Sequence, residues 1–417
     1  MIAIKDKSKC CGCEACLQVC PQQCISFHRD EEGFNYPYVN MEKCVDCGLC
    51  EKVCPELKNI DEKEPIHVYA AINNDLEERI QSSSGGLFVL LAKRIIDEHG
   101  VVFGARFDDK WNVVHSYTEN LEGIPPFMGS KYVQSRIGDN FKKVKEFLCA
   151  GRKVMFSGTS CQIAGLKNYL IKDYNNLLTV DVICHGVPSP LVWRQYLEEI
   201  KNNAHKGKNT VSFPPKHLIS ERETLKERYE TVIERISFRD KRLGWQKYSF
   251  ALTLAEASAD GKKNSVSLSH IHRDNPFMKV FLSDIILRPS CHKCFAKSGK
   301  SGSDITLADF WGVGSVVPEM DDDKGVSLLV VNSERGMNYI DLPGINKTEV
   351  TLNDAFAENP AFYRPKKENP YRALFFKDFI EGEHSVISLM KRYTHRPLYK
   401  RVIHRLITMV RTLLRFS

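Results

Sequence analysis

Cys10-Cys11-Gly12-Cys13-Glu14-Ala15-Cys16-Leu17-Gln18-Val19-Cys20-Pro21 opens the chain, and Cys44-Val45-Asp46-Cys47-Gly48-Leu49-Cys50-Glu51-Lys52-Val53-Cys54-Pro55 repeats its pattern. Each is a Cys-x2-Cys-x2-Cys-x3-Cys-Pro run, the spacing of a bacterial ferredoxin that holds two iron–sulfur clusters. Three thiolates from one tight loop grip three corners of one cube, and the fourth cysteine reaches across to the other. The spacing therefore predicts one 4Fe–4S cluster on Cys10, Cys13, Cys16 and Cys54. A second is predicted on Cys44, Cys47, Cys50 and Cys20. Cys11 and Cys24 fall outside the pattern and read as small buried residues. A disulfide framework requires an oxidising compartment, and no export signal precedes Cys10. Zinc ribbons use paired knuckles rather than a repeated triple one.

The chain has 417 residues, far more than a ferredoxin needs. Its hydrophobic content of 42% is ordinary for a globular protein, and no 18-residue apolar run marks a membrane span. Fifteen cysteines without an export signal point to a reducing cytoplasm. The net charge of +7 is concentrated at one end: Lys391 to Ser417 holds eight Lys or Arg and no Asp or Glu. The body is close to neutral, which argues against nucleic acid as a partner. Val402, Ile403, Leu406, Ile407, Val410, Leu413 and Leu414 form an apolar stripe at helical spacing among these cations. Such a stripe suits docking on an anionic membrane surface at the inner face or on a partner protein; packing on its own domain is the plain alternative.

After a polar linker at Glu62–Pro65, strands and helices alternate. Strands are expected at His67–Asn73, Val101–Phe107, Asn112–Tyr117, Lys153–Phe156, Leu178–Ile183, Asp304–Phe310 and Val326–Asn332. Ile233–Phe238 and Lys247–Leu254 read as a strand pair. Helices are expected at Leu87–Glu98, Asn140–Cys149, Gln162–Leu170, Pro190–Ile200 and Met278–Leu287. Residues 201–235 read as a solvated helical excursion, and the last forty residues as helical and basic. The fold class is an α/β core of mixed sheets with flanking helices, preceded by a small α+β two-cluster ferredoxin domain. The segments are 1–60 (ferredoxin), 66–172 and 173–380 (the two parts of the core) and 381–417 (basic tail).

Cys161 starts a helix, where free N–H groups favour a thiolate. Cys184 ends a strand before His185-Gly186, and Cys291 and Cys294 form a knuckle. Neighbouring strands would let these four converge on a metal. Two buried cysteines plus a zinc-binding or empty knuckle, or a redox dithiol at Cys291 and Cys294, fit the spacing as well. Cys149 reads as a core residue.

Ser83-Ser84-Gly85-Gly86, Gly129-Ser130-Lys131-Tyr132-Val133-Gln134, Gly158-Thr159-Ser160-Cys161-Gln162, Cys184-His185-Gly186, Ser237-Phe238-Arg239-Asp240-Lys241 with Gly244-Trp245, Cys291-x2-Cys294 and Asp304-Ile305-Thr306-x2-Asp309-Phe310-Trp311-Gly312 occur in this order. Together with the ferredoxin head this set resembles the coenzyme F420 hydrogenase/dehydrogenase beta-subunit family, which includes 7-hydroxymethyl chlorophyll a reductase and archaeal deazaflavin-linked reductases. The resemblance covers roughly residues 1–315. It implies an iron–sulfur flavoprotein oxidoreductase with FAD, a third 4Fe–4S cluster on Cys161, Cys184, Cys291 and Cys294, and coenzyme F420 or another organic acceptor. It also implies FAD contacts from Ser83, Ser84, Gly85, Gly86, Lys131 and Gln134. A glycine-rich helix start and a lysine suit a pyrophosphate, though the Ser/Gly run also serves as a plain helix cap. Asp309 and Trp311 fit a place near the flavin ring or a purely structural one. Arg239, Lys241 and Arg242 could bind an anionic acceptor, but a solvated charge cluster is the simpler reading. An electron-transfer subunit that wires a partner enzyme, for example in an envelope polysaccharide pathway, is the competing function; either way the partner is a redox protein or small carrier.

Overall fold

The computed structural model describes residues 1–58, 60–205, 231–257 and 263–395. The apolar stripe of the basic tail and most of the charged stretch lie outside the described residues. Thirteen strands are described: β1 (Ile25–Arg29), β2 (Asn35–Val39), β3 (His67–Asn73), β4 (Val101–Phe107), β5 (Val113–Thr118), β6 (Val154–Thr159), β7 (Leu177–Val182), β8 (Thr231–Asp240), β9 (Ser249–Ala257), β10 (Lys263–Ile271), β11 (Ile305–Asp309), β12 (Ser327–Val331) and β13 (Ile345–Glu349).

The head is small. Strands β1 and β2 pair antiparallel, from Ile25 opposite Val39 to Arg29 opposite Asn35. Asp30 turns the hairpin by accepting the Phe34 N–H at 2.8 Å, which sends the Phe34 ring into the core with no exposure. One cysteine run flanks each side of this ribbon, and each continues into a short helix, Ala15–Val19 and Leu49–Lys52.

Eight strands form the main sheet in the order β13-β3-β12-β11-β7-β6-β4-β5. Its centre is parallel: β4 with β6, β6 with β7, and β7 with β11. The outer pairings are antiparallel. Central strands are covered on both faces, so they read as apolar runs. The two-residue period still sorts them. Phe103, Val154 and Phe156 face one way and meet Phe141, Val144, Ile163 and Leu166 from helices Asn140–Cys149 and Ser160–Leu170. Val102, Met155 and Leu178 face the other way and meet Leu87, Leu91 and Ile95 of helix Leu87–Asp97. Because β6 and β7 are neighbours, the sheet runs unbroken across the chain from one half of the core to the other.

A second sheet, β10-β9-β8, is antiparallel and lies over an aromatic cluster that includes Trp193, Phe238, Phe250 and Phe277. Three local expectations are corrected. Residues 231–235 open strand β8 rather than continuing a helix, because β9 offers them a hydrogen-bonding edge. The helix expected to reach Leu287 is Pro276–Leu282; Asp284 turns at φ +62°, and Ile285, Ile286 and Leu287 pass buried into the core. Helix Val386–Thr394 buries Ile387, Leu389 and Met390 against the aromatic core, so the tail's first turns belong to the body. Among the described residues no helix is long and apolar enough to cross a membrane.

Candidate functional site

The parallel strands β4, β6, β7 and β11 end on one edge of the sheet, where an open α/β sheet gathers its ligands. The ferredoxin head docks at that edge. Gly12, at φ +71°, marks the contact: a side chain there would run into Gln134 Nε2 at 2.7 Å and Arg288 Nη1 at 2.9 Å. Arg288 is 1% exposed and stitches head to core. Its Nε donates to Cys10 O at 2.7 Å, Nη1 to Gln134 Oε1 at 3.0 Å, and Nη2 to Asn35 O at 3.0 Å and Cys10 Sγ at 3.5 Å. Gln134 Nε2 in turn donates to Cys11 O at 3.1 Å.

The thiols sort into three groups. Burial and then the neighbouring Cys10 and Cys54 push the Cys16 thiol far up. Burial, with Cys10 nearby, pushes Cys54 to about 11. Cys13 is raised too, with Cys16 and Cys54 among its neighbours. Cys10, Cys13, Cys16 and Cys54 are thus neighbours, Cys54 coming from the second run. Cys20, Cys44, Cys47 and Cys50 line a separate recess at the outer end of the head. Cys24 also lines that recess, its Sγ 3.4 Å from Cys20 Sγ, so it is a neighbour of the second thiol set and not a remote core residue.

The third group is built by the sheet. Strand β6 pairs with β7 in parallel, Thr159 beside Val182, so the residues just beyond them, Cys161 and Cys184, emerge side by side. Burial, then Cys161 and Cys294, raise Cys184 to about 12. Burial followed by Cys184, Cys161 and Cys294 raises Cys291, and burial with Cys161 raises Cys294 to about 11. All four are mutual neighbours. Between this group and the first stands Cys11, whose thiol neighbours both Cys13 and Cys161. The ferredoxin spacing gives Cys11 no role; its contact with Cys161 joins residues 150 positions apart.

Buried thiols pressed together with raised pKa values are poor neighbours as free acids or bare thiolates, and a cationic cluster relieves that strain. Among the described residues no three ligand atoms stand close enough for one bare metal ion. Four cysteine thiols with no nitrogen or oxygen ligand are the donor set that a four-iron cube takes.

At the end of β6, His115 and Lys131 come near each other. His115 of β5 lies 5% exposed and shares its Nε2 proton with Ser157 O at 3.1 Å. Its Nδ1 is buried without a partner, as is Arg106 Nε of β4. Burial pulls His115 down to about 4, so the ring is neutral near pH 7. Lys131 donates to Met128 O at 2.9 Å and Gly129 O at 3.1 Å. Burial alone pulls it to about 7, and no carboxylate among the described residues pairs with it. Ser83 Oγ accepts the Ser130 N–H at 2.6 Å, bringing the two polar loops together. A side chain on Gly129 would meet nothing within 4 Å, so space lies open there. A lysine with no carboxylate partner, beside open space, suits an anionic cofactor.

The other expected contacts have different duties. Ser84 Oγ donates to Val326 O at 2.8 Å and the Gly85 N–H to Ser327 Oγ at 2.9 Å, tying the run to β12. Gly86, at φ +86°, starts helix Leu87–Asp97. The Gln134 amide is taken up by Cys11 and Arg288. Arg239 and Lys241 are neither free nor solvated. Arg239 is 5% exposed, forms a two-pronged pair with Asp309 at 2.7 and 2.9 Å, and lies 4.0 Å above the Tyr248 ring. Lys241 Nζ donates to the carbonyls of Arg79, Ser84 and Lys324. Asp309 also accepts Trp245 Nε1 at 2.9 Å, and Trp245 stacks on Trp311 at 4.8 Å. Asp309 thus anchors the small sheet to the strand-end edge.

Residues 151–352 match the family model for the C-terminal part of the coenzyme F420 hydrogenase/dehydrogenase beta subunit. Residues 9–57 match the 4Fe-4S dicluster domain. No curated protein matches the chain. Among solved structures it is similar to a chain of the F420-reducing NiFe hydrogenase complex from Methanosarcina barkeri, at 16% identity and a TM-score of 0.40, over 80% of this chain and 94% of that one. The chain thus joins a segment that matches a 4Fe-4S dicluster domain to one that matches the C-terminal part of this beta subunit, and is an iron–sulfur electron-transfer oxidoreductase related to it.

Proposed function

We propose that the chain carries electrons along three 4Fe–4S clusters to an FAD that exchanges hydride with coenzyme F420 or another organic carrier. Cys10, Cys13, Cys16 and Cys54 hold the first cluster, Cys44, Cys47, Cys50 and Cys20 the second, and Cys161, Cys184, Cys291 and Cys294 the third. The observation that carries this reading is the convergence of the last four at the ends of β6 and β7, with Cys11 touching both Cys161 and Cys13.

FAD supplies the ability to trade a two-electron hydride for single electrons. The protein's part is placement and charge. Ser83 and Lys131 bind the pyrophosphate, while Ser84, Gly85 and Gly86 set the backbone that presents Ser83. Thr159 Oγ1 lies 3.3 Å from Cys161 Sγ and tunes the third cluster through that bond. Gln134 holds the first cluster's loop.

Anaerobically purified protein should contain FAD and about twelve irons, falling to about eight in Cys291→Ser/Cys294→Ser. Flavin reduction by a panel of carriers, followed by stopped flow, identifies the substrate. Full cluster occupancy at eight irons with no flavin would refute the reading. The same clusters with flavin bound but no hydride exchange with any carrier would instead favour a subunit that wires a partner enzyme.

A further inference from the structure

At the opposite edge of the main sheet, away from every thiol group, lies a cavity of about 510 Å³. It is framed by the last turn of helix Ser160–Leu170, the entries to β7 and β11, the loop at Gly299 and Gly302, and the linker at Lys63. That size suits a small metabolite. Its charge leans positive: Lys63, Lys167, Lys172 and Arg335 stand against Asp173, Asp304 and Glu334. Arg335 is answered by Asp173 at 2.6 Å and Asp304 at 3.8 Å. Asp304 is itself fully engaged, accepting the Thr179 N–H and O–H and the Ser333 O–H. Lys63, Lys167 and Lys172 also line the cavity, and none forms a salt bridge among the described residues. Lys167 Nζ donates to Gly302 O at 2.6 Å, which orders the ammonium without neutralising it. Asn332 gives its Nδ2 protons to Ser303 and Thr306 hydroxyls, and its buried Oδ1 is left without a donor.

We infer that this cavity binds a small phosphate ester, the phosphate lying among Lys63, Lys167 and Lys172. Three lysines against one unpaired carboxylate, Glu334, leave this concave site net cationic, which attracts an anion. The site is distinct from the proposed flavin recess, which lies at the other ends of the same strands. Both places share one rigid element: helix Ser160–Leu170 carries Cys161 in its first turn and Lys167 in its last.

The test is calorimetric titration of the anaerobic full-length protein with glycerol 3-phosphate, and with glycerol as the neutral control. One saturable site for the ester and none for glycerol is expected. Lys167→Met/Lys172→Met should weaken binding by about tenfold, since each lysine contributes a partly screened ion pair. Lys172→Met alone, at an exposed side chain, keeps the fold and should weaken it by about threefold. Flavin and iron content should not change in either variant. No saturation up to about 10 mM, or equal affinity in wild type and both variants, overturns the inference.

Discussion

Replacing Arg288 with methionine keeps the length of the side chain and removes its charge. Four hydrogen bonds are lost, three to oxygen and one to Cys10 Sγ. The oxygen acceptors are left buried, at about 1 kcal/mol each. Stacking on Tyr36, 4.3 Å away, is lost as well. The sum is a loss of about 3–5 kcal/mol, concentrated at the junction of head and core. The variant also reports on electron transfer. A cluster gains negative charge on reduction, so a guanidinium against Cys10 Sγ favours the reduced form. If that bond strengthens by about 1 kcal/mol on reduction, its loss lowers the first cluster's potential by about 40 mV. Anaerobic urea unfolding and redox titration followed by electron paramagnetic resonance measure the two effects separately. Arg288→Lys should restore part of the potential but little of the stability, because an ammonium lacks the fork that reaches Cys10, Asn35 and Gln134 together. A methionine variant within about 1 kcal/mol of wild type, or a folded one with an unmoved potential, would refute this account of Arg288.

Gly165→Ala should disturb the first cluster from outside the ferredoxin run, because the added methyl would lie 2.8 Å from Cys13 Cβ and 2.9 Å from its Sγ; a loss of about 1–3 kcal/mol with reduced iron content is expected, read by thermal unfolding and iron assay. Lys131, pulled to about 7 by burial, loses its proton in the folded chain before the unfolded one does. Its penalty on folding is therefore greatest below about pH 7 and fades as pH rises toward 10.5. A bound pyrophosphate favours the charged form, so flavin affinity should fall by up to about tenfold per pH unit above 7, and Lys131→Met should be weak and flat across that range. Arg239→Leu leaves the half-buried Asp309 beside Trp245 without its cation and should cost about 2–3 kcal/mol, measured by denaturant unfolding.

The ferredoxin head was legible from spacing alone because each ligand step is local. The proposed crossed sharing of Cys20 and Cys54 needs only two loops that fold on each other. Most core strands were legible for a related reason: buried parallel strands carry unbroken apolar runs such as Val101–Phe103 and Leu177–Val180. Strands β10 and β13 were not, since Lys-Asn-Ser-Val-Ser and Ile-Asn-Lys-Thr-Glu carry polar edge sequences whose pairing depends on β9 and β3. The four distant cysteines needed the order of strands. Nothing in Cys161 or Cys184 says that β6 and β7 are neighbours, and Cys11 gains its place only because the head docks there. Arg239 and Lys241 misled for the opposite reason. A cationic run at a strand end looks solvated until Asp309, nearly seventy residues on, and three carbonyls close over it.

How the head is held fixes which way it faces. Its hairpin tip is locked to the core: Arg372 forms a two-pronged pair with Glu32, Ser189 Oγ donates to Glu32 O at 2.5 Å, and a side chain on Gly33 would strike Leu191. The Cys10 loop is locked by Arg288 and Gln134. These two attachments lie on the side of the first thiol set. Around the second set the surface stays open, with Cys47 exposed and Met41 and Val45 64% and 63% exposed. Electron transfer weakens steeply with distance, so a carrier that exchanges with the head must approach there. The exposed methionine and valine give it an apolar footing. Replacing both with glutamate leaves every core contact in place and should slow reduction by a protein carrier, while a small dye that needs no footing should react at its former rate. Equal slowing of both would mean that the second cluster, and not the docking surface, had been damaged.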